Sequence, residues 1–177
     1  MQIDLAELKA LEDIHRKLAA GYHLSETEPG LWLDLSAQHD AYAALFAALG
    51  YSLKHDERGF FYFDTPETSV NMSKTSQWFA LTLYCLVEDF ADAGKDPVNA
   101  LFDNVLGFTE MDQLVSRHLP LFEQLNVQSA SDLRKEVFNR MVRLGFAREE
   151  GDGFKLLAPC HRFLDAALAL TEEKVDG

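Results

Sequence analysis

Leu144-Gly145-Phe146-Ala147-Arg148-Glu149-Glu150-Gly151-Asp152-Gly153-Phe154 decides the reading, because the chain carries its pattern twice. The earlier copy runs Leu49-Gly50-Tyr51, a polar tip His55-Asp56-Glu57-Arg58-Gly59, then Phe60-Phe61-Tyr62-Phe63. In each copy a glycine closes an amphipathic helix and an aromatic residue opens a two-stranded ribbon. The glycine lets the chain leave the helix through a left-handed residue, and the aromatic ring pins the ribbon to the core. A helix that passes straight into a ribbon is how a winged helix ends. Copies at Gly50 and Gly145 therefore predict two such modules in tandem. The competing arrangement is a single α+β domain with two unrelated hairpins.

Working outward, Ile3, Leu8, Leu11, Ile14 and Leu18 form an apolar stripe over residues 3–20, stopped by Gly21. An extended Tyr22-His23-Leu24 and a turn at Pro29-Gly30 lead to a helix over 36–49 with Tyr42, Leu45, Phe46 and Leu49 on one face. Residues 64–73, with Pro66 and several Ser and Thr, read as a linker. The second half opens with a helix over 74–92 that is apolar nearly all round, which implies burial on several sides. A less regular helical stretch follows at 98–106, then a helix over 110–125 that Pro120 must kink or split. Ser129 and Asp132 form a capping pair for a helix over 130–144, whose buried stripe is Leu133, Val137, Met141 and Leu144. A closing helix is expected over 159–172. The expected fold class is mainly α with small β-hairpins (α+β), arranged as tandem winged-helix domains over 1–66 and 74–172 with a linker at 67–73.

Composition narrows the function classes. Of 177 residues 47% are apolar and 25% charged, ordinary for a soluble globular chain. A net charge of −13 argues against a surface that coats nucleic acid as a whole and disfavours anionic membranes. Any DNA contact must then sit on a local basic face. The longest apolar stretch, Trp78 to Val87, interrupted only by Thr82, is about half the roughly 20 residues that span a bilayer. Met1-Gln2-Ile3-Asp4 lacks the basic and apolar regions of a secretory signal, so a cytoplasmic location is expected, with Cys85 and Cys160 as free thiols.

The sequence offers little to a reaction. It contains no phosphate-cradling Gly-x-x-x-x-Gly-Lys, no Gly-x-Gly-x-x-Gly and no Gly-x-Ser-x-Gly elbow. The six histidines are scattered, and Cys160-His161 has no further ligand close by, whereas a zinc site needs about four. The acidic pairs Asp56-Glu57 and Glu149-Glu150 sit at ribbon tips, where water solvates both carboxylates and separates no pKa values. No catalytic residue, metal ligand or cofactor is expected, and the chain does not read as an enzyme.

Positive charge concentrates once. Between Ser131 and Arg148, Arg134, Lys135, Arg140, Arg143 and Arg148 face only Asp132 and Glu136. Arg140 and Arg143, three apart and opposite the buried stripe, are expected to project together from the exposed side of the helix before the second ribbon. In a winged helix that is the recognition helix, so these five residues are the candidate DNA contacts, weak, salt-sensitive and non-specific. The competing reading is a solvated helix face. The first module's helix carries Ala37, Ala41, Ala44, Ala47 and Ala48 with few charges, which suits close packing against another protein or within its own core.

Gly21-Tyr22-His23-Leu24, Gly59-Phe60-Phe61-Tyr62-Phe63, Leu83-Tyr84-Cys85-Leu86 and Asn139-Arg140-Met141-Val142-Arg143-Leu144-Gly145 occur in the order and approximate spacing found in MukE. The chain thus resembles the small acidic winged-helix subunits of bacterial condensins over roughly 15–170, and its length looks more like MksE. The resemblance implies a subunit that dimerises and binds an MksF/MukF-like kleisin. Through the kleisin it would join an MksB/MukB-like SMC ATPase on nucleoid DNA, in chromosome segregation or plasmid defence. It also implies that Arg140 and Arg143 match a DNA-clamping basic helix. Val142 stands where MukE has a further Arg, and the longer polar tail of MukE has no counterpart. The alternative is a dimeric winged-helix transcriptional regulator, against which the acidic charge and the Ala-rich first helix both count.

Overall fold

A computed structural model describes residues 1–64 and 70–165, without the side chains of 70–73. The fold is mainly helical with small antiparallel hairpins, and the chain divides into two compact units, Met1–Pro66 and Glu67–Gly177.

In the first unit, Asp4 accepts a hydrogen bond from the Ala6 amide (2.9 Å) and caps a short 3-10 turn, Leu5–Glu7. Helix α1 follows at Leu11–Ala19. The helix expected over 3–20 is broken because the Ala10 amide donates to the Asp34 carboxylate (3.1 Å) instead of to a helical carbonyl. Strand β1 (Leu24–Ser25) leads to helix α2 (Pro29–Ala37). Pro29-Gly30, expected as a turn, opens this helix. Proline at the first helical positions loses nothing by lacking an N–H, and Leu31, Trp32 and Leu35 then pack against the core. Helix α3 (His39–Ala48) ends at Gly50, whose φ is +88°. The Tyr51 amide reaches back to the Phe46 carbonyl (2.9 Å) and the Gly50 amide to that of Ala47 (3.0 Å), a Schellman closure. Strands β2 (Ser52–Asp56) and β3 (Phe60–Asp64) pair antiparallel, Asp56 opposite Phe60, and β1 adds to the far side of β3. Ile14, Leu18, Leu35, Tyr42, Phe46, Phe61 and Phe63 form the core.

The second unit repeats this order. Helix α4 (Val70–Asp92) starts inside the span read as a linker, whose residues 65–69 lie outside the described residues. Helix α5 (Pro97–Asp103) is capped by Asp96, and α6 (Phe108–Arg117) and α7 (Leu119–Glu123) are the two halves that Pro120 separates. His118, between them, lies 2.7 Å from Asp89 and 3.7 Å from Glu88, tying this junction to α4. Ser129 accepts from the Asp132 amide (3.1 Å) at the start of a continuous helix over 130–143. This helix comprises α8 (Ala130–Leu133), a π turn at Arg134–Phe138 and α9 (Asn139–Arg143). Gly145 (φ +80°) closes it with the same Schellman pair, Phe146 N–H to Met141 O at 2.8 Å and Gly145 N–H to Val142 O at 3.2 Å. Strands β4 (Ala147–Glu150) and β5 (Gly153–Leu156) form the ribbon. On the far side of β5, Leu106 makes a one-residue bridge to Phe154, as β1 pairs with β3 in the first unit.

Gly153 makes that bridge possible. A Cβ there would lie 2.7 Å from the Leu106 carbonyl oxygen and 2.8 Å from Val105 Cγ1. Phe138, absent from the expected stripe, is fully buried against Phe154, their rings 5.2 Å apart and nearly parallel. The π turn explains it: i→i+5 bonding brings Leu133 and Phe138, five apart, onto the same inward row. The closing helix is present over 161–165, after a 3-10 turn at Ala158–Cys160; its remainder, to 172, lies outside the described residues.

Candidate nucleic-acid interface

The helix over 130–143 and the start of the second ribbon enclose an open groove of about 570 Å³. Lys135, Asn139, Arg140, Val142 and Arg143 line it, together with the acidic Glu136 and Glu149. The five basic residues named from sequence divide within this frame. Lys135 and Arg143 are exposed and, among the described residues, enter no ion pair. They lie eight apart, with the exposed Asn139 midway, so the helix presents the three as one polar row.

Arg140 behaves differently from the expectation that it projects beside Arg143. Its guanidinium carbon sits 4.5 Å from the centre of the Trp78 ring, and its Nη2 donates to Glu136 Oε2 at 3.1 Å. Trp78 is in turn fixed by its indole N–H, which donates to the Leu125 carbonyl (3.1 Å). A cation held on an aromatic face and paired four residues back is a brace between α4 and α9, only half exposed to a ligand. Arg134 likewise lies over Phe154, 5.2 Å from the ring centre, and Arg148 pairs with Glu150 on its own ribbon (3.1 Å). The structure therefore brings Lys135, Arg140 and Arg143 to one groove, adds Asn139, and leaves Arg134 and Arg148 outside it. Asn139 was within reach of sequence reasoning, since it lies four residues from each of two basic residues on one helix. The role of Trp78, more than fifty positions upstream, gave no such signal.

In the first unit the Ala-rich face is split. Ala41 and Ala44 are half-buried, whereas Ala37, Ala47 and Ala48 are exposed. Leu49, expected on the inward face, is 60% exposed, because the chain has already left the helix at that residue. It borders an apolar groove of about 540 Å³ with Leu5, Leu8, Leu45 and Phe46.

Two tyrosines and both cysteines are perturbed by burial elsewhere in the two units. Tyr22 and Tyr42 are both pushed upward, first by burial and then by the carboxylates they donate to, Glu28 and Asp34. Both cysteines are free and buried, and burial pushes each thiol up to about 12. Cys160 donates to the Phe146 carbonyl (3.2 Å), and Cys85 is raised further by the nearby Glu88 and Asp89. Because the unfolded thiol ionises near 9 and the folded one near 12, the unfolded state loses protons first. The stability that the two thiols contribute is thus intact below about pH 9 and declines as pH rises from there toward 12. Chemical denaturation at pH 8 and pH 10 is expected to show a lower midpoint at pH 10. The same burial predicts thiol labelling only on unfolding; rapid labelling of native protein at pH 8 would contradict it. Among the described residues, no group of three or more His, Cys, Asp or Glu is placed to hold a metal ion, and no helix is long and apolar enough to cross a membrane.

Two small, mainly helical units, each with a helix that passes directly into a two-stranded ribbon, define the class as a mainly α protein with small antiparallel hairpins. A family model described as condensin complex protein MksE matches residues 9–168, and the chain belongs to this family. It is a condensin-complex subunit. No curated protein matches the chain.

Proposed function

We propose that this chain is the non-catalytic, kleisin-binding subunit of an SMC–kleisin complex, built from two winged-helix domains and acting as a homodimer. It binds an MksF/MukF-like kleisin and reaches an MksB/MukB-like ATPase through it, in the cytoplasm and at the nucleoid. The complex organises or segregates DNA, or acts in plasmid defence. The observation that carries this reading is the family match over nearly the whole chain. The repeated order of helices, edge strand or bridge, helix and ribbon in both units supports the winged-helix assignment.

DNA contact is proposed for the groove of the second unit, with Lys135 and Arg143 nearest to phosphate, Arg140 between them, and Arg134 and Arg148 at its margins. Two carboxylates within so small a basic surface favour loose, salt-sensitive contact over operator recognition. For that reason the reading as a transcriptional regulator is the weaker one. Affinity capture of the tagged chain from its native cells tests the proposal. Co-purification of a kleisin and a large coiled-coil ATPase is the expected result. Tight, sequence-specific binding of a promoter fragment by the isolated chain, with neither protein captured, would overturn it.

A further inference from the structure

Helix α4 buries Trp78, Phe79, Leu83 and Leu86 within its own unit. Along its other flank, Lys74, Gln77, Leu81, Tyr84 and Glu88 succeed one another at spacings of three and four. That alternation is the seam period on which two helices pack side by side. The middle of the seam is apolar and open. Tyr84 is 51% exposed and the small Ala80 is exposed near it, while Leu81 and Val87 are partly buried against their own core with an edge left open. Its ends carry opposite charges, Lys74 toward the N-terminus and Glu88 toward the C-terminus, about 21 Å apart at 1.5 Å per residue. Lys74 rests on the Trp78 ring at 5.0 Å, and Glu88 is 44% exposed with His118 as a distant neighbour at 3.7 Å.

We propose that this flank of α4 is the surface on which a second copy of the chain packs, antiparallel about a two-fold axis. The inference rests on the homodimer reading and assigns its interface. An axis between Leu81 and Tyr84 sets Leu81 of each copy against Tyr84 of the other and brings each Lys74 within one turn of the opposite Glu88. A parallel pairing would instead stack Lys74 on Lys74 and Glu88 on Glu88, which like-charge repulsion opposes. A seam that is apolar at its centre and reversed in charge from end to end is its own complement, the condition for an isologous two-fold interface.

Sedimentation velocity on the full chain tests this. The wild type is expected to be a dimer, and Tyr84→Glu to raise the dissociation constant at least about thirtyfold, as removal of a central aromatic anchor does. Thermal unfolding of that variant, measured where both proteins are monomeric, is expected to match the wild type, because Tyr84 is already open to solvent. Lys74→Glu is expected to weaken the dimer, and Lys74→Glu combined with Glu88→Lys to restore it. A monomeric wild type would overturn both the homodimer reading and the seam. A dimer unaffected by Tyr84→Glu would overturn the seam alone, and so would a variant that dimerises normally but no longer captures the kleisin. A double variant as weak as Lys74→Glu would overturn the antiparallel pairing.

Discussion

Replacing Phe154 with alanine is expected to destabilise the second unit by about 3–5 kcal/mol, the range for removing a fully buried aromatic side chain. Phe154 has no exposure, stacks on Phe138 at 5.2 Å and carries Arg134 over its other surroundings at 5.2 Å. Its backbone exchanges both hydrogen bonds with Leu106, at 2.8 and 3.0 Å. The residue therefore joins three parts of the unit: its ring packs the ribbon on the π turn, and its backbone ties the ribbon to the chain before α6. Removing it leaves a cavity that the rigid stack cannot close, and also forfeits an aromatic pair worth about 0.5–1.5 kcal/mol beyond area. Against a total of about 5–15 kcal/mol for a typical domain, the loss is a large share. Urea denaturation followed by tryptophan fluorescence checks it, since Trp78 reports on this unit and Trp32 on the other. A cost below about 1 kcal/mol would mean that Phe154 is not the keystone its packing describes.

The second large effect concerns DNA. Lys135→Glu with Arg143→Glu reverses both unpaired cations of the groove while leaving the Arg140–Glu136 pair and its Trp78 seat in place. Each phosphate that the protein no longer neutralises lowers the slope of log affinity against log salt by about 0.9, so the assembled complex is expected to lose about two units of slope. At low salt its affinity for duplex DNA is expected to fall about tenfold to a hundredfold, with kleisin capture unchanged. Both side chains are exposed, so unfolding does not confound the result. Equal affinity and equal slope for the two proteins at low salt would remove this groove from the DNA path.

The legibility of the fold followed the range of the interactions that make it. Gly50 and Gly145 were readable because a positive φ after a helix is a local demand that glycine meets at least cost. Ser129 was readable as a cap because its bond to the Asp132 amide spans three residues. Helix α2 was missed because Pro29-Gly30 suits both a turn and a first helical turn, and the choice rests on Trp32 and Leu35 finding a core supplied from elsewhere. The break before α1 was missed for a similar reason: the Asp34 carboxylate that takes the Ala10 amide lies twenty-four residues on.

The candidate site divides along the same line. Local charge density in the sequence picked out the helix and the sign of its charge, but not which cations line the groove, since Arg134 and Arg148 lie outside it and Asn139 joins it. It did not separate Lys135 and Arg143 from Arg140, because burial of a cation depends on whether an aromatic ring stands opposite. Trp78 reaches Arg140 only once α4 has packed across α9. Phe138 joined the core only through a π turn, whose five-residue period no α-helical stripe anticipates. By itself the sequence determined the succession of helices and ribbons, the stops between them and the place where positive charge gathers, all set by contacts within a few residues. Tertiary structure alone decided which of those charges stay in water and which are spent on packing, because that choice depends on side chains that meet only after folding.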